Sequence, residues 1–380
     1  MEDFYCAAPF RQIYIDSSGI SPCCRIPRQH TTLKEWPDST FLKELQQQTL
    51  TEQWPNLCNS CQREEKLYNT SLRIQSNANY ELKHKNTLID FIDYRSENLC
   101  NFRCRSCEPQ FSHLIAKELQ DNPEILSKFF PGNQKKHVTV DETNYKWIID
   151  NLGQIKRLMF TGGEPTVIPQ VKIMLTEILK NQYQDLLIMI TTNGSFQDNF
   201  WYDLTKKLPN LHWTLSIDAI GTAANIIRNG SDWAQIEYNA NWLAKNSNSF
   251  MINSVISNLS LFQLWPLLNF VKILKQQSNG TNGCDHRFHI INGPPSRIRN
   301  HLSVQNLSEQ LRTQAIDYLI QCRSQHWEPD TINMLDGLLE QIKNSIFNQD
   351  QWKKTQEYNQ ELDRLRGQDH TQLFVAQYPG

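Results

Sequence analysis

An α/β fold built on parallel strands is the class this sequence predicts, and three observations predict it. Between Leu88 and about Pro294, short apolar runs alternate with helical stretches, the pattern of repeated βα units. A cysteine-rich segment precedes that alternation, and a polar helical stretch follows it. A chain of 380 residues is long enough for a large core and on the order of two domains.

The candidate strands of the repeating region are Leu88–Tyr94, Arg157–Phe160, Asp185–Thr191, His212–Ile217, Phe250–Ser254 and Arg287–Ile291. Helices fit between them at Phe111–Leu119, Ile168–Asn181, Asn199–Leu208, Trp233–Lys245 and Leu261–Lys275. In the leading segment, Ile13 and Ile15 alternate with Gln12 and Tyr14 as a half-buried strand does. Asp16 to Gly19 is a turn signal, so Ile20–Cys24 returns as the second strand of a hairpin, and a short helix follows near Phe41–Gln48. Beyond Pro294-Pro295, the stretches Val304–Cys322, Thr331–Ile346 and Asp350–Arg366 read as helices that close the open side of the strand array. No internal repeat, heptad pattern or long low-complexity tract is present.

A net charge of −2 provides no basic field for nucleic acid or an anionic membrane, and basic and aromatic residues are not concentrated in one stretch. The start, Met1-Glu2-Asp3-Phe4, lacks the cationic and apolar regions of a secretory signal. Apolar runs such as Leu186–Ile190 are far shorter than the roughly 20 residues a membrane helix needs, so a cytoplasmic, soluble protein is expected. Eight of the ten cysteines lie at or before Cys107. In a long chain without an export signal, that clustering favours metal ligation over disulfides.

Cys100, Cys104 and Cys107 stand at C-x3-C-x2-C spacing just after the first candidate strand of the repeats. On so short a loop they can converge on one centre, and thiolates are the soft ligands that iron–sulfur clusters and zinc select. Three without a fourth nearby suggest a cubane cluster with one iron open; the alternative is structural zinc with a fourth ligand such as His113. Arg157–Phe160 runs straight into Thr161-Gly162-Gly163-Glu164-Pro165, where glycines let the backbone approach a ligand and a carboxylate can hold an ammonium group. Upstream, Cys6, one of the Cys23-Cys24 pair, and the Cys58-x2-Cys61 knuckle make a four-thiol set for zinc or a second cluster. Neighbouring strand residues face opposite ways, so one of Cys23 and Cys24 ligates. Cys284 and Cys322 read as packing thiols.

The cysteine triplet followed by GGEP one βα unit later resembles the radical S-adenosylmethionine (radical SAM) enzymes. That resemblance implies a partial (β/α)6 TIM-like barrel over 87–295, flanked by the small cysteine-rich α+β domain over 1–86 and the helical C-terminal extension over 296–380 that the residue pattern gives. It implies a 4Fe–4S cluster on Cys100, Cys104 and Cys107, and S-adenosylmethionine held by Gly162, Gly163, Glu164 and Pro165. By position it adds Thr192, Asn193, Ser216, Asp218 and Asn258 to the cofactor site, with Arg228 near the cofactor carboxylate. Many members carry an aromatic residue beside the third cysteine; here Ser106 and Glu108 flank it, and the Ser106 backbone is left to contact adenine.

The order Cys6, Gly19, Cys24 resembles the SPASM and twitch auxiliary domains, which implies a second 4Fe–4S cluster on Cys6, Cys24, Cys58 and Cys61, with Cys23 as alternative to Cys24 and zinc as the alternative metal. This sequence departs from that pattern in placing the segment before the barrel and in lacking the further cysteines of a two-cluster domain. The implied activity is reductive cleavage of S-adenosylmethionine to a 5′-deoxyadenosyl radical that abstracts a substrate hydrogen. The reductant is a carrier such as flavodoxin or ferredoxin, and the first substrate expectation is a peptide or protein side chain. Dehydrogenation of a sugar or nucleoside-like molecule is the alternative; a non-catalytic iron–sulfur or zinc scaffold is the alternative of another class. Arg95, Arg103 and Arg105 lie near enough in sequence to raise a cluster potential, and Arg297 and Arg299 could meet an acidic substrate.

Overall fold

The computed structural model describes residues 5–50, 54–68, 71–78, 80, 89–130, 141–181, 183, 185–278, 284–291 and 300–378. Leu88, Pro294, Pro295, Arg297 and Arg299 lie outside these residues. The chain divides into two units, Met1–Asn98 with His137–Ile190, and Leu99–Lys136 with Thr191–Gly380. Each unit is assembled from two separated stretches of the chain.

The strands, in chain order, are β1 Gln12–Asp16, β2 Gly19–Ser21, β3 Phe91–Tyr94, β4 Arg103–Cys104, β5 Arg157–Phe160, β6 Leu187–Thr192, β7 Leu211–Ser216, β8 Arg228–Asn229, β9 Ser249–Ile256 and β10 Cys284–Ile290. In the first unit β1 pairs antiparallel with β2 and parallel with β3; β3 pairs parallel with β5, and β5 with β6. Pairing of β1 with β3, Gln12 opposite Phe91, makes the N-terminal hairpin an extension of the parallel sheet.

Alternation explains β5, where Leu158 and Phe160 are fully buried and Arg157 and Met159 are not. The helix Pro169–Asn181 begins with proline and buries Val171, Met174, Leu175 and Ile178, a single apolar face. The hairpin turn requires Gly19: its φ is +122°, and a Cβ there would sit 2.2 Å from the Gln29 carbonyl oxygen. Ile20 and Gln29 bridge there, setting the course of the chain through Cys23.

In the second unit β7, β9 and β10 run parallel, Trp213 beside Phe250 and Phe250 beside Cys284. A two-residue antiparallel ribbon joins β4 to β8. The three C-terminal helices are Glu309–Arg323, Pro329–Lys343 and Gln349–Arg366. The first two bury Tyr318, Leu319, Cys322, Leu335, Leu338 and Ile342 in one core with Ile256, Phe262 and Leu264. Among the described residues, no helix is long and apolar enough to cross a membrane.

Candidate metal and cofactor centres

Four thiols meet in the first unit. Cys6, Cys23, Cys58 and Cys61 line a cavity of about 420 Å³, counted out to its open mouth, together with Pro9, Pro22, Ile26 and Leu57. They arrive from four local structures: the approach to the helical turn Ala8–Arg11, the turn after β2, the 3-10 turn Asn56–Cys58, and the first turn of the helix Asn59–Tyr68. The backbone amides of Ala8, Arg25 and Arg73 favour the ionised forms of Cys6, Cys23 and Cys61. Burial pushes Cys6 up to about 12, with Cys58 and Cys61 adding like-charge repulsion, and pushes Cys58 up to about 11. Burial raises Cys23 and Cys61 as well. Crowded soft donors whose ionisation is opposed chiefly by burial form a set that a thiophilic cation would relieve. Arg73 stacks 5.0 Å from the Trp54 ring and pairs with Glu65 at 2.6 Å, walling one side.

Cys24 does not line this cavity. It is exposed, with Asp93, Arg25, Arg95 and Arg28 as its charged neighbours. The glycine spacing favours Cys24 over Cys23, and the geometry favours the reverse. β2 stops at Ser21, and a tight turn follows in which Ser21 Oγ and the Ile26 N–H both donate to the Cys23 carbonyl. Strand alternation therefore does not extend to residue 24.

The same unit carries the GGEP turn at the C-terminal end of β5. Gly162 has φ +79°, and a Cβ on it would fall 2.9 Å from Arg95 Cβ. Thr161 Oγ1 donates to Asp93. Glu164 is buried, and its Oε1 accepts from the Thr166 N–H at 3.1 Å and the Thr166 hydroxyl at 2.7 Å, capping the turn Pro165–Val167.

The Cys100–Cys107 loop belongs to the second unit and is fixed at several points. The Cys100 N–H donates to His113 Nδ1 at 3.1 Å, which commits that nitrogen, and the Phe102 N–H donates to Cys100 Sγ at 3.5 Å. Asn101 donates to Ser195 Oγ and accepts from Asn193 Nδ2, both at 2.8 Å, so the turn after β6 staples the loop. Thr192 Oγ1 accepts from the Gly194 N–H within that turn.

In the ribbon Cys104 stands opposite Arg228, whose Nη1 lies 3.9 Å from Cys104 Sγ. Arg228 Nε is 2.9 Å from Asp218 Oδ2, off the line of a hydrogen bond, while Asp218 Oδ1 accepts from the Val255 N–H at 2.8 Å. Burial works against the guanidinium charge, yet Asp218 and Cys104 outweigh it and hold Arg228 above its ordinary range. Burial raises the Cys104 thiol, and Arg228 opposes that rise.

Arg105 plays a part its charge conceals in the sequence. Its side chain is wholly buried and donates to the Ile226 carbonyl at 3.0 Å, Asn359 Oδ1 at 3.0 Å and Gln368 Oε1 at 3.1 Å, besides pairing with Asp363. The Tyr358 hydroxyl donates to the Arg105 carbonyl at 2.9 Å. The C-terminal helix therefore braces the cysteine loop from behind. Arg103 and Arg366 share Glu118, at 3.3 and 2.6 Å. Asp363, Asp369 and His370 gather three donor atoms within 4.8 Å, but Asp363 is already paired with Arg105 and with His370.

Other residues singled out in the sequence are placed as follows. Asn258 is fully buried and donates to the carbonyls of His301 and Asn306 at 3.0 and 3.2 Å, leaving Oδ1 without a partner. Ser216 ends β7, half-buried, and Ser106 is half-buried in the loop. Cys322 is fully buried in a helix and Cys284 begins β10.

No protein-family model matches the chain, and no curated protein matches it at a significant level. Among solved structures it is similar to Streptococcus suis SuiB bound to precursor peptide SuiA, at 14% identity over 58% of this chain and 50% of that chain, TM-score 0.36. It is similar to anSMEcpe with bound AdoMet and Cp18Cys peptide, at 16% identity over 62% of this chain and 58% of that one, TM-score 0.38. A third is the radical S-adenosylmethionine methyltransferase TsrM from Kitasatospora setae with cobalamin and a 4Fe–4S cluster bound, at 13% identity over 52% and 34%, TM-score 0.34. The chain spans about half the length of SuiB. Superpositions this loose leave the function to be argued from the site itself.

Proposed function

We propose that this chain is a radical SAM enzyme that modifies a peptide or protein side chain. The observation that carries this is the Cys100–Cys104–Cys107 loop, three soft donors braced by the ribbon, by Arg105 and by Asn101, with the buried Asp218–Arg228 pair set against Cys104. An S–H group that sits against a guanidinium suits a thiolate ligand. The donor set fits a 4Fe–4S cluster. Bound there with S-adenosylmethionine, such a cluster supplies one-electron cleavage of a sulfonium and, through it, hydrogen-atom abstraction.

The residues divide the remaining work. Cys100, Cys104 and Cys107 would hold the cluster, and Arg228 offsets thiolate charge at Cys104. Gly162 and Gly163 leave backbone room at the end of β5, with Pro165 fixing the turn and Glu164 offering a buried carboxylate to an ammonium group. Ser106, Thr192, Ser216 and Asp218 remain cofactor contacts in this reading. Asn193 and Asn258 act through the loops they tie together. Cys6, Cys23, Cys58 and Cys61 would hold a second cluster, supported by three backbone amides that favour ionised sulfur. The peptide preference draws on SuiB and anSMEcpe, whose structures hold peptides.

Anaerobic protein reconstituted with iron and sulfide tests the reading. About eight irons per chain are expected, falling to about four with Cys58→Ala and Cys61→Ala together. Under dithionite, wild type should form 5′-deoxyadenosine and Cys104→Ala none. Iron-loaded wild type that leaves S-adenosylmethionine intact defeats the proposal.

A further inference from the structure

The sheet of the second unit has two unlike faces. On one, Trp213, Leu215, Phe250, Ile252 and Ser254 are buried. On the other, strand register aligns Ser216 of β7 with Asn253 of β9 and Asn253 with Arg287 of β10. These three polar side chains share one face at one level because register neighbours in parallel strands point the same way. Asn253 Oδ1 is buried without a hydrogen-bond partner. Among the described residues, neither the Ser216 hydroxyl nor the exposed Arg287 guanidinium has a hydrogen-bond or ion-pair partner, and the Arg287 charge is felt by His212 on the same face. The orphaned Asn253 acceptor is costly to keep in a sheet, while the exposed Arg287 stays hydrated and available beside it.

Its position gives it a use. Asp218 lies two residues beyond Ser216, about 6–7 Å along the strand, and Asp218 reaches Cys104 through Arg228. A molecule resting on the row is thus separated from Cys104 by two residues of chain and the Arg228 side chain.

We propose that Asn253 and Arg287, next in the row to the cofactor contact Ser216, recognise the substrate, and that they take the carboxylate of an acidic side chain in a peptide. The proposal deepens the peptide-directed reading above and rests on it. Arg287 supplies a planar donor for a carboxylate, while the Asn253 amide bonds a flanking polar atom. Asp285, exposed two residues before Arg287 on the same face, brings the local charge to zero and disfavours a phosphate dianion.

The test is saturation-transfer NMR on the full chain without cofactor, with three capped pentapeptides of sequence Gly-Ala-X-Ala-Gly, X being glutamate, glutamine or phosphoserine. Wild type should bind the glutamate peptide about tenfold more tightly than the glutamine peptide, the size of one charge-assisted contact. Arg287→Gln should abolish that preference and Arg287→Lys should keep part of it, circular dichroism confirming that both fold. Failure to bind, equal binding of glutamate and glutamine, a preference that survives Arg287→Gln, or tighter binding of phosphoserine each overturns the proposal. Since no cofactor is present, the result is independent of whether wild type cleaves S-adenosylmethionine, the measurement on which the broader reading stands.

Discussion

The four-thiol cavity of the first unit and the three-thiol loop of the second solve one problem in different ways. In the cavity, sulfurs come from separated segments and meet backbone amides, with the Arg25 and Arg73 charges at its wall. In the loop, they come from eight consecutive residues, and the partners are charged side chains, Arg228 against Cys104 and Arg105 behind the turn. Amides cannot be mutated away, so the cavity is sensitive to which sulfur enters it. The loop is sensitive to the charges that hold it.

The largest effect should separate the adjacent cysteines. Cys23→Ala should remove about four irons per chain, while Cys24→Ala should leave iron content unchanged; the opposite result would return the fourth position to Cys24. Next comes the charge behind the loop. Arg105→Met leaves Asp363 without its buried partner and should lower stability by about 3–5 kcal/mol in urea unfolding, with part recovered when Asp363→Leu is added. Equal losses in the single and double variants would mean that packing, not charge, sets the brace. Gly162→Ala forces a left-handed φ on alanine against Arg95 and should cost about 1–3 kcal/mol. Gly337→Ala, where an added Cβ meets nothing within 4 Å and φ is ordinary, is its control.

The smallest effect is one of pH. Burial, with Lys275 adding repulsion, lowers His286 from 6.5 to about 3, so the fold holds the ring neutral, 2.9 Å from Ser254 Oγ. Its share of stability is complete above about pH 6.5 and falls as pH drops toward 3, because the unfolded chain binds the proton first. Denaturation midpoints measured across that window should decline less steeply in His286→Gln.

The alternation of apolar and polar residues made most of the parallel strands legible. β5 begins and ends where its four residues predict, and β6, β7, β9 and β10 lie within a few residues of expectation. Pairing was not legible. Nothing local in Gln12–Asp16 says that it joins Phe91–Tyr94, and a ribbon of two residues per strand is too short to have a period. The helices Pro123–Phe129, Glu142–Asp150 and Gly221–Ile227 were missed for a related reason: each is seven to nine residues long, too short for a clear apolar stripe. Arg105 was singled out for its charge beside the cysteines, but its bracing role is not legible until distant Asn359, Asp363 and Gln368 are brought to it. A clue was available in the acidic and amide residues that recur near the end of the chain, but sequence alone does not say which face they serve.

Pairing Cys104 with Arg228 through main-chain bonds has a consequence for how the cysteine motif can vary. A residue inserted between Cys100 and Cys104 would shift the ribbon by one step, and the sulfur would emerge on the reverse side, away from the guanidinium. The interval between those two cysteines is therefore a matter of strand parity as well as of reach, and length changes there should be tolerated, if at all, in twos.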